Sequence, residues 1–194
     1  MRHPLQAALL VLMLGASLAG CAPVLVGGAA TGASMVHDRR SAGTLIDDQG
    51  IEFKAVGEFN KQPVLRDRSH INVTSYNGVV LLTGEVPSRE AGLLAERLVK
   101  GLPQVRQVHN ELIIAQVSPL SSRANDALIT TQVKASLFGI RNLPDFDPTR
   151  VKVVTERGIV YLMGLLKPQE ADATVETVRR INGVQQVVKL FEYI

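Results

Sequence analysis

The 194-residue chain has one cysteine, no tryptophan and only 4% aromatic residues. One thiol cannot form an internal disulfide and cannot build a cysteine-based metal site. The shortage of aromatic rings argues against an aromatic-lined sugar or nucleotide pocket. Charge is almost balanced, with a formal net charge of +3, and no segment is basic enough to predict a nucleic-acid partner. The folded part must therefore be stabilised by its apolar cores.

Cys21, the single cysteine, follows what reads as a bacterial export signal. A short basic start at residues 1–3 precedes an apolar run from Leu5 to Leu18, and the sequence Leu-Ala-Gly stands directly before the cysteine, as in a lipobox. The run is 14 residues long, short of the ~20 that a membrane-spanning helix needs. We interpret residues 1–20 as a lipoprotein signal peptide and Cys21 as the lipid-modified (palmitate-bearing) first residue of the mature protein.

The next segment, residues 21–43, is rich in glycine, alanine and serine. Its glycines do not form a phosphate-binding loop, because no Gly-Lys-Ser/Thr follows them. The composition instead predicts a flexible spacer between the lipidated cysteine and the folded domains.

The rest of the chain contains an internal repeat. Residues 71–84 match residues 151–164 at a constant offset of 80, and each copy reads as two strands joined at a turn, Asn77-Gly78 or Arg157-Gly158. Helical apolar spacing precedes and follows each hairpin, and a further strand closes each copy. The pattern predicts an α+β fold, in which each αββαβ copy packs two helices on one face of a three-stranded sheet.

The repeat also sets the predicted domain boundaries. We expect a first domain over residues 44–116, a linker over 117–122 with Pro119, and a second domain over 123–194.

The helix that opens the second copy has two apolar faces. At 100° per residue, Ile129, Val133 and Leu137 fall on the face expected to pack on the sheet. The opposite face carries a second stripe with a basic flank, made of Leu128, Thr131, Lys134, Ala135 and Phe138, with Ile140 and Arg141 beyond it. An apolar face with basic neighbours is typical of a helix that docks on an anionic membrane. Packing against the other domain or against a partner protein fits the helical wheel equally well.

Candidate catalytic and metal-binding groups are few. His70 and His109 lie beside strands of the same copy, but no third ligand stands at a recognisable spacing, so exposed or edge-strand histidines are the simpler interpretation. Asp47-Asp48 at a helix start and Asp145 to Asp147 in a proline-flanked loop are explained by capping and solvation. The sequence therefore predicts no active site, no metal and no cofactor.

Several features together resemble the BON domain. The first feature is the order of the elements. The second is the pair of turns, Asn77-Gly78 and Arg157-Gly158, before apolar strands that end at Gly84 and Gly164, and the third is the segment Gly183–Val187. A lipobox followed by two such domains resembles the dual-BON outer-membrane lipoproteins.

The resemblance covers nearly all of residues 38–194 and implies a function. It implies a non-enzymatic protein, lipid-anchored on the periplasmic side of the outer membrane, and Ala22 after the cysteine is compatible with that sorting. It also implies that the Leu128–Arg141 surface binds an anionic, phosphatidylglycerol-like phospholipid membrane and that the protein supports envelope integrity. The alternative is a periplasmic adaptor that recruits an envelope assembly protein through the same surface or through an exposed strand edge.

Overall fold

The computed structural model describes residues 38–141 and 143–194. The predicted signal peptide, Cys21 and most of the predicted spacer lie outside the described residues. No helix in the described part of the chain is long and apolar enough to cross a membrane. The elements in chain order are α1 (Ala42–Asn60), α2 (Pro63–Arg68), β1 (His70–Tyr76), β2 (Val79–Val86), α3 (Arg89–Lys100), β3 (Gln107–Ile114), α4 (Leu120–Leu137), a 3-10 turn (Pro148–Arg150), β4 (Lys152–Glu156), β5 (Ile159–Leu166), α5 (Pro168–Val178) and β6 (Gln186–Tyr193).

The strands form two three-stranded sheets of the same topology, β1-β2-β3 and β4-β5-β6. In each sheet the middle strand pairs antiparallel with the first strand and parallel with the third. The predicted α+β fold with two tandem αββαβ units is confirmed. The short helix α2 in the first unit and the 3-10 turn in the second are additions that the repeat pattern did not predict.

Two helices begin earlier than the sequence pattern predicted. Helix α1 begins at Ala42 rather than at Asp48, because the Ser41 side chain accepts a hydrogen bond from the Thr44 N–H and caps the helix within the Gly/Ala/Ser-rich segment. Helix α4 begins at Leu120, inside the predicted linker. The predicted helix starts therefore fell too late at both copies.

Each unit has its own core between its helices and its sheet. The predicted inner face of α4 is confirmed, since Ile129, Val133 and Leu137 are all buried against the second sheet. The corresponding residues of α1 are buried in the first core, which consists of Ile51, Ala55, Phe59, Leu65, Val80, Leu82, Val86, Ala91, Ala95 and Val99.

A third core joins the two units. Alternate residues of β2 and β5 point away from the helices, and the two helix-free sheet faces pack together. The buried residues of this interface are Tyr76, Val79, Leu81, Tyr161 and Met163. Burial raises the pKa of Tyr161 to about 12, so its hydroxyl group stays protonated at neutral pH.

Each hairpin turn is held by a buried aspartate from the first helix of its unit. The Asp48 carboxylate accepts hydrogen bonds from the backbone N–H groups of Asn77 (2.7 Å) and Gly78 (2.8 Å), and Asp126 accepts from Arg157 and Gly158 at 2.8 Å each. The prediction that Asp48 stands at a helix start was therefore wrong. It lies within α1 and binds the turn, where both residues adopt positive φ as a type I′ turn requires.

The segment just before α1 contacts both units. Arg39 donates to the Leu165 carbonyl (2.8 Å) and forms a two-pronged ion pair with Glu170 at 2.6 and 2.8 Å. Arg40 pairs with Asp48 at 2.8 Å and lies 3.8 Å from the centre of the Tyr76 ring. Residues 39 and 40, predicted as part of the flexible spacer, are therefore fixed by contacts in this structure.

The Glu170 pair should make stability depend on pH. Burial alone would raise the pKa of Glu170, but hydrogen bonds from Arg39 and from the Lys167 N–H outweigh it and hold the pKa below its ordinary 4.5. We expect Glu170→Gln to lower the free energy of unfolding by about 2 kcal/mol at pH 7. This difference should be complete above pH 4.5 and disappear as the pH falls through the lower folded-state pKa.

Urea unfolding across this pH range measures the effect. Glu176→Gln is the matched control, because Glu176 lies in the same helix but its pairs with Arg179 and Arg180 are exposed and should contribute less than about 0.5 kcal/mol. Parallel pH profiles for the Glu170 variant and wild type would contradict the prediction.

Candidate functional site

The outer face of α4 is open to solvent in the described structure. Leu128 and Phe138 are each 63% exposed. Thr131, Lys134 and Ala135 between them are exposed as well. The stripe therefore does not pack against the other unit, because the units meet through their sheets.

Two residues of the predicted surface lie at its end. Arg141 is exposed as expected. Ile140 is half-buried and packs against the second core, so it is less accessible than the rest of the predicted surface. The helix ends at Leu137, and Ile140 lies in the turn that follows, where the chain folds back toward the sheet. A helical wheel extended past the helix end could not place it.

A cavity of about 360 Å³ opens beside the end of this stripe. Its walls include Phe138, Lys134 and Lys152, together with Arg40 and Tyr76 of the first unit. Arg40 is neutralised by its ion pairs with Asp38 and Asp48. The two lysines make no ion pair among the described residues, so they supply the positive charge of this cavity.

Helix α1 carries a second exposed apolar stripe. Phe53 is 78% exposed, and Ile46 and Val56 are exposed on the same face. Sequence analysis missed this stripe because the predicted helix began at Asp48, which left Ile46 outside it. Extending the helix back to the Ser41 cap would have found it.

The two helices differ in their charge. Helix α1 contains four acidic residues, at positions 47, 48, 52 and 58, against the single cation Lys54. Helix α4 contains Arg123 and Lys134 against Asp126 alone, and Asp126 is engaged by its hairpin turn. An anionic surface would therefore be repelled by α1 and attracted by α4.

Comparison with known proteins identifies the repeat. The BON domain family model matches residues 47–116 and residues 125–194. The chain belongs to the BON domain family. The Haemophilus influenzae protein named outer membrane lipoprotein DolP is 36% identical over 187 residues, which cover 95% of each chain.

Two further relatives are similar over a smaller share of the chain. The 21 kDa hemolysin of Actinobacillus pleuropneumoniae is 36% identical over 81% of this chain and 79% of its own. The osmotically-inducible protein Y of Escherichia coli is 28% identical over 75% of this chain and 72% of its own.

A buried polar cluster lies where the two BON domains meet. His70 and Glu85 face each other across β1 and β2, and Glu156 reaches them from β4 of the second BON domain. Burial raises the pKa of Glu156, and the nearby Glu85 carboxylate raises it further, although a hydrogen bond from Asn72 opposes the shift. Sequence reasoning missed this cluster because its third member belongs to the other repeat.

Proposed function

We propose that this protein is a non-enzymatic lipoprotein of the outer membrane that binds anionic phospholipid through its second BON domain and supports envelope integrity. Acylation of Cys21 would tether it to the periplasmic leaflet. The similarity over 95% of the chain to a protein named as an outer membrane lipoprotein supports this location.

The exposed pair of Leu128 and Phe138 beside unpaired positive charge carries the proposal. Apolar side chains of this size gain about 1.5–3 kcal/mol each on leaving water, which drives insertion at the lipid interface. Lys134 and Lys152 line the cavity beside Phe138, and their positive charge would attract a phosphodiester group. A phosphatidylglycerol headgroup at this cavity would place its acyl chains along the apolar stripe.

Vesicle binding tests the proposal. We expect the chain without residues 1–21 to bind vesicles that contain phosphatidylglycerol and to bind neutral phosphatidylcholine vesicles much more weakly. Phe138→Glu should weaken binding at least ~10-fold, because it removes apolar contact and adds repulsion. Lys134→Gln should weaken it ~5-fold, since a lysine near such a surface contributes about 1 kcal/mol.

Phe53→Glu is the matched control for Phe138→Glu, because it makes the same change on the exposed stripe of the first BON domain. It should leave vesicle binding unchanged. Negligible binding by wild type, or an equal loss with Phe53→Glu, would reject lipid recognition by α4.

The α1 stripe favours a second candidate function, that of an adaptor for an envelope assembly protein. Ile46, Phe53 and Val56 form an exposed apolar surface with acidic neighbours, which suits a protein partner better than an anionic membrane. The dependence of binding on salt concentration distinguishes the two functions. Lipid binding should weaken as salt screens the lysines, whereas a mainly apolar protein contact should respond less.

A further inference from the structure

We propose that His70, Glu85 and Glu156 form a zinc site that ties the first BON domain to the second. One ring nitrogen of His70 and one carboxylate oxygen from each glutamate lie within 4.8 Å of one another. Ligand atoms around a tetrahedral zinc ion lie about 3.3 Å apart, given bonds of about 2.0–2.1 Å. Side-chain rotations that shorten the distances between the ligand atoms by about 1.5 Å or less would therefore bring the three atoms to the spacing of a tetrahedral zinc site.

The surroundings of Glu85 leave a place for a cation. The Glu85 side chain is 0% exposed, and its hydrogen bonds, from Ser118 and Arg157, are both long at 3.4 Å. The Arg157 side chain is 47% exposed and can turn into solvent. Arg157 forms an ion pair with Glu85 at 3.4 Å, and a metal ion bound by both carboxylates would take over the role of that arginine in neutralising Glu85.

An unpartnered polar atom points to the same place. Thr83 is buried on the same face of β2 as Glu85, and its hydroxyl oxygen has no hydrogen-bond partner among the described residues. Its cross-strand neighbour is Asn72, whose amide nitrogen lies 2.9 Å from Glu156 Oε2 and 3.4 Å from a ring nitrogen of His70. Asn72 is thus placed to orient the two ligands His70 and Glu156 from behind.

An ion can reach the cluster. A cleft of about 270 Å³ is lined by His70, Asn72 and Glu156, and also by Arg123 and Asp126. The Asp126 oxygens are already used by the hairpin turn, so they do not compete for the metal. One imidazole and two carboxylates suit zinc, whereas magnesium demands six oxygen ligands in octahedral geometry.

The position of the site determines how zinc would affect the stability of the domain interface. Two of its ligands belong to the sheet of the first BON domain and one to the sheet of the second, so zinc would bind only when the two sheets are packed. Binding to the folded form alone raises stability by mass action. The site would therefore lock the domain interface.

Calorimetric titration of the full chain tests the site. The chain is purified in detergent without a histidine tag, stripped with EDTA and titrated with zinc chloride. We expect one zinc ion per chain, a higher unfolding temperature with zinc, and no comparable response to magnesium chloride. His70→Gln and Glu156→Gln should each weaken zinc binding at least ~100-fold, since losing a direct ligand costs no less than losing a residue that orients one.

His109→Gln is the control, because His109 lies on the same sheet but pairs with Leu81, four residues along β2 from Glu85. It should bind zinc as wild type does. Circular dichroism of the stripped variants checks their fold, which Glu156→Gln should keep because it preserves shape. The proposal is overturned if wild type binds no stoichiometric zinc, if both variants keep wild-type affinity, if His109→Gln abolishes binding, or if magnesium binds equally well.

Discussion

Asp48→Ala is expected to lower the free energy of unfolding by about 4 kcal/mol. The Asp48 carboxylate is buried and accepts from the Ser75 hydroxyl at 2.7 Å, from the two N–H groups of the Asn77-Gly78 turn, and from Arg40. Alanine would leave these donors without their acceptor inside the protein. A buried donor that loses its partner costs about 1–3 kcal/mol, and more when the lost partner was charged.

Asp126 provides an internal comparison. It holds the corresponding turn of the second domain through two backbone N–H groups, and within residues 38–141 and 143–194 no hydroxyl group or arginine adds to them. Asp126→Ala should therefore cost about 2 kcal/mol, about half the effect of Asp48→Ala. Asp47→Ala, at the exposed neighbouring position, should change stability by less than about 0.5 kcal/mol. Urea unfolding of the three variants measures the order, and equal losses at Asp47 and Asp48 would contradict it.

Gly84→Ala should destabilise the first domain by at least about 3 kcal/mol. Gly84 has φ +116, and a Cβ atom there would lie 1.9 Å from the backbone oxygen of His70. That oxygen belongs to the paired strand β1, so relief requires the hairpin to open. The added methyl group would cause both the backbone strain at this φ and the clash with His70, so both effects lower the stability.

Gly92→Ala is the matched control. Gly92 is also buried in the first domain, but it lies in helix α3 and its added Cβ would meet Val86 at an ordinary 3.6 Å. Because glycine is a poor helix former, alanine should stabilise by up to about 1 kcal/mol. Thermal unfolding of the two variants checks the opposite signs, and a similar loss from both would show that crowding at Gly84 is not the cause.

The exposed stripe of α4 shows which features of the candidate site follow from the local sequence pattern and which depend on the tertiary structure. The periodicity of α4 predicted both its inner face at Ile129 and its outer face at Leu128, since each depends only on 3.6 residues per turn. The periodicity could not predict whether another part of the protein packs against the outer face of α4. The exposure of Leu128 and Phe138 follows from the use of the sheet faces, rather than α4, for domain packing.

The sequence by itself determined the repeat, the two hairpins and the inward face of each first helix, because these follow from chemistry within a few neighbouring residues. Asn77-Gly78 favours its turn, and Ile51 and Ala55 share a helix face, whatever surrounds them. The tertiary structure alone decided that Asp48 binds a turn 29 residues away and that His70 meets Glu85 and Glu156. Those contacts join residues from different strands and different repeats, and no spacing along the chain encodes which sheet faces meet.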